Sequence, residues 1–152
     1  MRHILIILSL FLFSFTYISC SSSDSGSSTT STTSDNDSTT DDNSTYSDNG
    51  TTFTVTVSSS KYYIDGILTK SLTLKKGYTY FFDSTDSTTN NHPLFIGTTS
   101  TGGSYTYEYT SGVTNSRTTT ETLTFIVPSD SPSTLYYNCG NHAAMGGTIT
   151  IM

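Results

Sequence analysis

Residues 135–151 read LYYNCGNHAAMGGTITI. The last four of these residues alternate threonine with isoleucine, and residues 135–138 are rich in aromatic side chains, both of which favour a β-strand. The glycine pair Gly146 and Gly147 between them is typical of a turn or loop. We therefore predict two β-strands joined by the short loop of residues 139–147.

The same two-residue alternation recurs across the rest of the C-terminal part. It is clear in residues 53–57 (FTVTV), 72–74 (LTL) and 123–127 (LTFIV), and no stretch shows helical periodicity. Many short strands without helices predict an all-β fold, a Greek-key β-sandwich. Residues 105–109 (YTYEY) are expected to form either another strand or a flap at a sheet edge. The predicted core is aromatic and contains Phe53, Tyr78, Tyr80, Phe82, Phe95, Phe125 and Tyr137.

The N-terminal third predicts an exported, anchored chain. Residues 1–19 combine a short basic start with an apolar run too short to span a bilayer, as in a signal peptide, and residues 17–20 (YISC) resemble a bacterial lipobox. We expect Cys20 to be lipidated and to hold the protein to a membrane of a bacterial cell envelope; ordinary cleavage nearby is the alternative. The rest of residues 20–50 is predicted to be a disordered Ser/Thr/Asp linker, so that residues 51–152 form the domain.

Charge and cysteine content exclude two classes of protein. The chain has 12 Asp and Glu against 6 Lys and Arg, for a net charge of -6, whereas nucleic-acid proteins need clustered basic residues. Nucleic acid is therefore not an expected partner. The two cysteines, Cys20 and Cys139, do not supply a disulfide framework.

Residues 139–145 (CGNHAAM) place three possible metal ligands at even spacing. Cys139, His142 and Met145 are each separated by two residues, so a tight turn can aim a thiolate, an imidazole and a thioether at one point. His92 is the other histidine outside the predicted signal peptide, and it can reach the same point from another strand. Two imidazoles and a thiolate with a weak axial thioether are the ligand set of a blue-copper electron-transfer site. We predict one copper ion per domain, cycling between Cu(I) and Cu(II).

The same residues allow alternatives to a copper site. Cysteine and two histidines also suit zinc, although a methionine ligand favours copper. Taken singly, Cys139 and Met145 could be core residues and either histidine a solvated turn residue. A Cys–His protease needs its base brought from elsewhere in the fold, whereas Cys139 and His142 share one turn. We therefore expect no enzymatic activity.

Residues 51–152 resemble the cupredoxin (type 1 blue copper) family. The loop of residues 139–145, the ligand loop, is similar to that of amicyanin and plastocyanin. Residues 63–66 (YIDG), 77–80 (GYTY) and 92–94 (HPL) are most similar to environmental cupredoxin-like lipoprotein modules. The resemblance implies that His92, Cys139 and His142 are the strong ligands and that Met145 is the axial one. Two residues depart from the family pattern. Pro93 stands where asparagine is usual after the first histidine, and Asn141 stands where proline is usual before the second.

Together these features predict a membrane-anchored blue-copper protein that transfers single electrons between redox protein partners. His142 is the expected electron port, with Pro93, Ala143 and Ala144 forming an apolar docking patch around it. Two alternatives stay open. One is a copper-binding or copper-buffering lipoprotein without a redox partner, and the other is a metal-free structural or adhesive β-sandwich module.

Overall fold

The computed structural model describes residues 46–152, so the predicted signal peptide and Cys20 lie outside the described residues. Ten strands form two sheets. The strands are β1 (Thr52–Ser58), β2 (Lys61–Ile64), β3 (Ile67–Leu68), β4 (Leu72–Leu74), β5 (Thr79–Asp83), β6 (Leu94–Gly97), β7 (Val113–Thr114), β8 (Thr122–Ile126), β9 (Thr134–Cys139) and β10 (Gly147–Ile151). A 3₁₀ turn, Ser87–Thr89, is the single helical element of residues 46–152.

The two sheets mix parallel and antiparallel pairs. The larger sheet has the order β3-β2-β1-β5-β8-β7 and the smaller one β4-β10-β9-β6. Within them β1 pairs parallel with β5 and β10 pairs parallel with β4, while the other pairs are antiparallel. The chain passes repeatedly from one sheet to the other, since consecutive strands such as β8 and β9 belong to different sheets. The predicted all-β sandwich is confirmed.

Strand alternation places one face of each sheet in a shared core. In β1, for example, Phe53 and Val55 are fully buried while Thr52 and Thr54 are exposed. Burial of a large apolar side chain contributes about 1.5–3 kcal/mol, so this core is the main source of stability. Of the predicted core aromatics, Tyr78 is only partly buried and the other six are buried: Phe53, Tyr80, Phe82, Phe95, Phe125 and Tyr137.

Residues 46–50, the end of the predicted linker, are hydrogen-bonded to the sandwich. The Ser47 N–H donates to the Thr73 carbonyl at 2.8 Å, and the Tyr80 hydroxyl donates to the Ser47 carbonyl at 2.8 Å. The Lys75 ammonium lies 4.7 Å from the centroid of the Tyr46 ring, within cation–π range. The polar composition of this segment gave no sign of these contacts, because most of them use backbone groups that any residue carries.

Residues 98–109 form a flap beside the smaller sheet. Gly97 and Glu108 make an isolated β-bridge, and the Thr98 N–H donates to the Tyr107 carbonyl at 2.9 Å. Of the two predicted possibilities for residues 105–109, the edge flap is therefore the one found. Within residues 46–152, no helix has the length and apolar character needed to cross a membrane.

Candidate metal centre

Pairing of β6 with β9 brings His92 next to Cys139. In this antiparallel pair Leu94, the first residue of β6, lies opposite Cys139, the last residue of β9. His92 precedes Leu94 by two residues, so it lies beyond the end of β6 at the same end of the sheet as the thiol. The loop from β9 to β10 then carries His142 back over this end.

The side chains of His92, Cys139 and His142 converge. One ligand atom from each lies within 4.8 Å of the others. The Cys139 Sγ is 3.5 Å from Nδ1 of His142 and 3.9 Å from Nδ1 of His92. The structure thus brings together three of the four residues singled out in the sequence.

These distances fit a single metal ion. An ion bonded to sulfur at about 2.3 Å and to nitrogen at about 2.0 Å, with an angle of roughly 110–120° between the bonds, holds sulfur and nitrogen about 3.5–3.7 Å apart. The two observed separations of 3.5 and 3.9 Å lie close to this range. The residues present therefore fit a metal, and one thiolate with two imidazoles suits copper or zinc.

Three successive carbonyl groups around His92 accept hydrogen bonds from other parts of the chain. The Asn91 carbonyl accepts from Nδ2 of Asn141 at 2.8 Å, and the Pro93 carbonyl accepts from the Gly140 N–H at 2.9 Å. The His92 carbonyl itself accepts from the hydroxyl of Tyr62 at 2.6 Å. Since two of these donors belong to the loop after Cys139, the segments that carry the two histidines are bonded to each other.

The ligand loop is also hydrogen-bonded to the flap of residues 98–109. The Gly103 N–H of the flap donates to the Cys139 carbonyl at 2.8 Å, and the Ala144 N–H donates to the Thr101 carbonyl at 2.7 Å. Gly140 is buried and has no room for a side chain, because an added Cβ would overlap the ring of Tyr105. The flap therefore holds the backbone of the loop on both sides of His142.

Burial is graded across the cluster. Cys139 is fully buried, His92 is intermediate and His142 is exposed. Burial first, and the neighbouring His142 second, lower the pKa of His92, which favours the neutral imidazole that a metal requires. Among the three side chains that could bind a metal, His142 is therefore the one nearest to solvent.

Met145 and the residues of the expected docking patch differ in their exposure. Met145 is fully buried at the end of the loop, and its N-terminal neighbours Ala143 and Ala144 are exposed. Its role as axial ligand stays a prediction. Pro93 is buried rather than exposed, so its expected place in the apolar patch was wrong. Its carbonyl accepts the Gly140 N–H, which brings this residue against the loop, while Ala143 and Ala144 stay at the surface.

Tyr62 and the side chain of Asn141 are the site residues that sequence reasoning missed. Alternation in β2 would have marked Tyr62 as a core residue, since Tyr62 and Ile64 are fully buried while Lys61 and Tyr63 are only partly so. Nothing in the sequence indicates which carbonyl its hydroxyl meets. The sequence marked Asn141 only as a departure from the family pattern, and the structure shows its side-chain amide bonded to the loop that carries His92.

Comparison with known proteins gives a structural likeness but no match in sequence. No protein-family model matches the chain, and no curated protein matches it in sequence. Among solved structures the chain is similar to variants of rusticyanin, with 14% sequence identity and a TM-score of 0.43 over 70% of this chain and 80% of that chain. The function of the chain is accordingly inferred from its own fold and site.

Proposed function

We propose that this chain is a membrane-anchored copper protein that carries single electrons between redox protein partners. The observation that supports it most strongly is the convergence of His92, Cys139 and His142 within 4.8 Å at one end of the β-sandwich. The cupredoxin resemblance of the sequence and the methionine in the same loop favour copper over zinc.

In this proposal the side chains of Cys139, His92 and His142 bind the copper, and hydrogen bonds of the backbone hold them in place. When bound, copper supplies the exchange of one electron between its two oxidation states. Cys139 supplies a thiolate in a water-poor position, and the two histidines supply neutral nitrogens. The hydrogen bonds around residues 91–93 hold these groups in place. A site that keeps its shape in both oxidation states makes transfer fast, because little has to rearrange.

Exposure suggests where a partner would dock. Residues 141–144, which include His142, are exposed, and no Asp or Glu lies within them. Residues 46–50, where the linker joins the domain, contact Thr73 in β4, Lys75 just after β4 and Thr79 at the start of β5. The ligand loop precedes β10, which runs parallel to β4, so the loop lies at the opposite end of the smaller sheet. Residue 46 and the ligand loop therefore lie at opposite ends of the smaller sheet.

Metal content tests the proposal. The chain expressed in cells supplied with both copper and zinc should contain one copper per protein and show an intense thiolate-to-copper(II) band in the visible range. The chain contains 11 tyrosines and no tryptophan, so its near-ultraviolet absorbance comes from tyrosine and can be used to normalise the visible band. A colourless protein with one zinc per chain would contradict the proposal, and a protein with no metal would support the structural module instead.

Met145→Leu tests the axial ligand. A thioether is a weak ligand, so His92, Cys139 and His142 should still hold copper and the visible band should persist. Loss of the sulfur removes electron donation to Cu(II), so the reduction potential should rise. Leucine and methionine have similar volumes, and the cost to the buried core should stay below about 1.5 kcal/mol. A potential that is unchanged, or that falls, would show that Met145 is only a core residue.

Cys20→Ala tests the anchor. If Cys20 carries the lipid, the variant should move from the membrane fraction to the soluble fraction, because a diacyl anchor contributes roughly 0.8 kcal/mol per buried methylene group. Inhibition of the lipoprotein signal peptidase should cause the wild-type precursor to accumulate. Cys139→Ala serves as the matched control, since it removes the other cysteine of the chain and should leave fractionation unchanged. Continued membrane association of the Cys20 variant would contradict the anchor.

A further inference from the structure

Tyr62 makes hydrogen bonds to the backbone of two predicted metal ligands. Its hydroxyl donates to the His92 carbonyl at 2.6 Å, and its N–H donates to the Met145 carbonyl at 3.0 Å. Its ring is fully buried between the sheets. Tyr62 therefore connects β2 to both segments that carry predicted ligands, although it belongs to neither.

We infer that Tyr62 is a positioning residue of the metal centre, holding the His92 and Met145 segments in their binding geometry before any metal arrives. The inference rests on the proposed function only in requiring that the centre binds a metal. It concerns how the protein shapes the site, and Tyr62 does not itself contact the metal.

A buried hydroxyl needs a partner, and this requirement makes the arrangement specific. Leaving a buried polar group unpaired costs free energy, so the Tyr62 ring and the His92 carbonyl favour one relative position. His92 follows Asn91, whose φ of 68° lies in the left-handed region. The hydroxyl bond thus helps to hold a segment whose backbone is otherwise strained.

Lys61, the first residue of β2, contacts the Met145 segment from the solvent side. The ammonium group of Lys61 contacts the Ala144 carbonyl, next to the Met145 carbonyl that Tyr62 binds. Lys61 and Tyr62 together therefore bond two successive carbonyls at the end of the ligand loop.

Tyr137 provides a matched comparison within the same core. It is also fully buried, and its hydroxyl also donates to a backbone carbonyl, that of Lys70, at 2.9 Å. Its ring lies 6.3 Å from that of Tyr62, centroid to centroid. Removing the hydroxyl of either tyrosine deletes a partly buried hydrogen bond to a backbone carbonyl, but only the bond of Tyr62 ends on a predicted ligand.

The test compares Tyr62→Phe with Tyr137→Phe in a chain carrying Cys20→Ala, so that Cys139 is the single thiol. Affinities for zinc(II) and copper(I) are measured by competition with chelators, and the visible band is recorded with copper(II). Loss of a group that orients a ligand typically lowers metal affinity about 10- to 100-fold, and this is the loss we expect for Tyr62→Phe. We also expect its copper(II) band to shift. Tyr137→Phe should retain wild-type affinity and spectrum while losing similar thermal stability.

Equal effects of the two substitutions on affinity and spectrum would overturn the inference, since both would then act only on stability. A wild-type chain that binds zinc but gives no copper colour would refute the proposed function, while the comparison of zinc affinities would still test Tyr62. If Tyr62→Phe does not fold, NMR of the wild-type chain with ¹³C-labelled tyrosine replaces it. Zinc should then shift the Tyr62 ring resonance more than that of Tyr137, and no such difference would overturn the inference.

Discussion

Replacing Cys139 with serine is expected to abolish the visible band that copper(II) gives with this protein. The band requires charge transfer from a thiolate, and a serine hydroxyl neither ionises near neutral pH nor supplies the same electron-rich sulfur. Cys139 is fully buried at the end of β9, with the two histidine Nδ1 atoms 3.5 and 3.9 Å from its sulfur. No other thiol of the described chain can take its place. The measurement is the visible absorption of the copper-titrated variant in a Cys20→Ala background.

Unfolding has to be excluded as the cause of any loss. A buried hydroxyl in place of a thiol costs about 1–3 kcal/mol, so circular dichroism and the thermal midpoint of the variant are recorded alongside the spectrum. Met145→Leu, which alters a buried residue of the same loop, serves as the control that should keep its colour. A Cys139→Ser variant that is folded and keeps an intense visible band would show that the sulfur is not a ligand.

Gly146→Ala is expected to destabilise the protein strongly. An alanine Cβ at this position would overlap the carbonyl oxygen of Tyr137, a backbone atom that cannot move without shifting β9. The φ angle of Gly146 is ordinary, so the obstacle is space alone. We expect a loss of about 3 kcal/mol. That corresponds to a fall in thermal midpoint of roughly 12 °C or more.

Gly66→Ala separates steric overlap from backbone strain. Gly66 lies in the turn between β2 and β3 with a φ of 77°, and an added Cβ would meet nothing within 4 Å. Its cost should be the left-handed penalty of about 1–2 kcal/mol. Thermal melts of both variants give the comparison. A Gly146→Ala variant no less stable than Gly66→Ala would mean that β9 and the end of the ligand loop do not pack as described.

Local pattern was sufficient to predict the strands and most of the core. The alternation in residues 53–57 and 123–127 identifies inward-facing Phe53 and Phe125 because successive side chains in a strand point to opposite faces. The convergence of Cys139 and His142 could also be predicted, since both lie in one short loop. Tyr78 is the exception among the predicted core aromatics. It is only partly buried because it precedes β5, where the Lys75 ammonium lies 5.1 Å from its ring centroid.

Contacts between distant segments could not be predicted in the same way. The bond from Asn141 to the Asn91 carbonyl and the bond from Tyr62 to the His92 carbonyl depend on how β2, β6 and β9 are placed relative to one another. Such contacts follow from tertiary register, which alternation does not specify. Burial of Pro93 also depends on this register. The placement of β6 beside β9 brings Pro93 next to Gly140, whose N–H donates to the Pro93 carbonyl.

A redox titration of the copper-loaded chain tests the central proposal most directly. The visible band should bleach on reduction and return on oxidation through one reversible one-electron step, with the copper retained throughout. That result would separate an electron carrier from a copper-buffering protein. Release of copper on reduction, or a band that does not return on reoxidation, would contradict electron transfer as the function of this site.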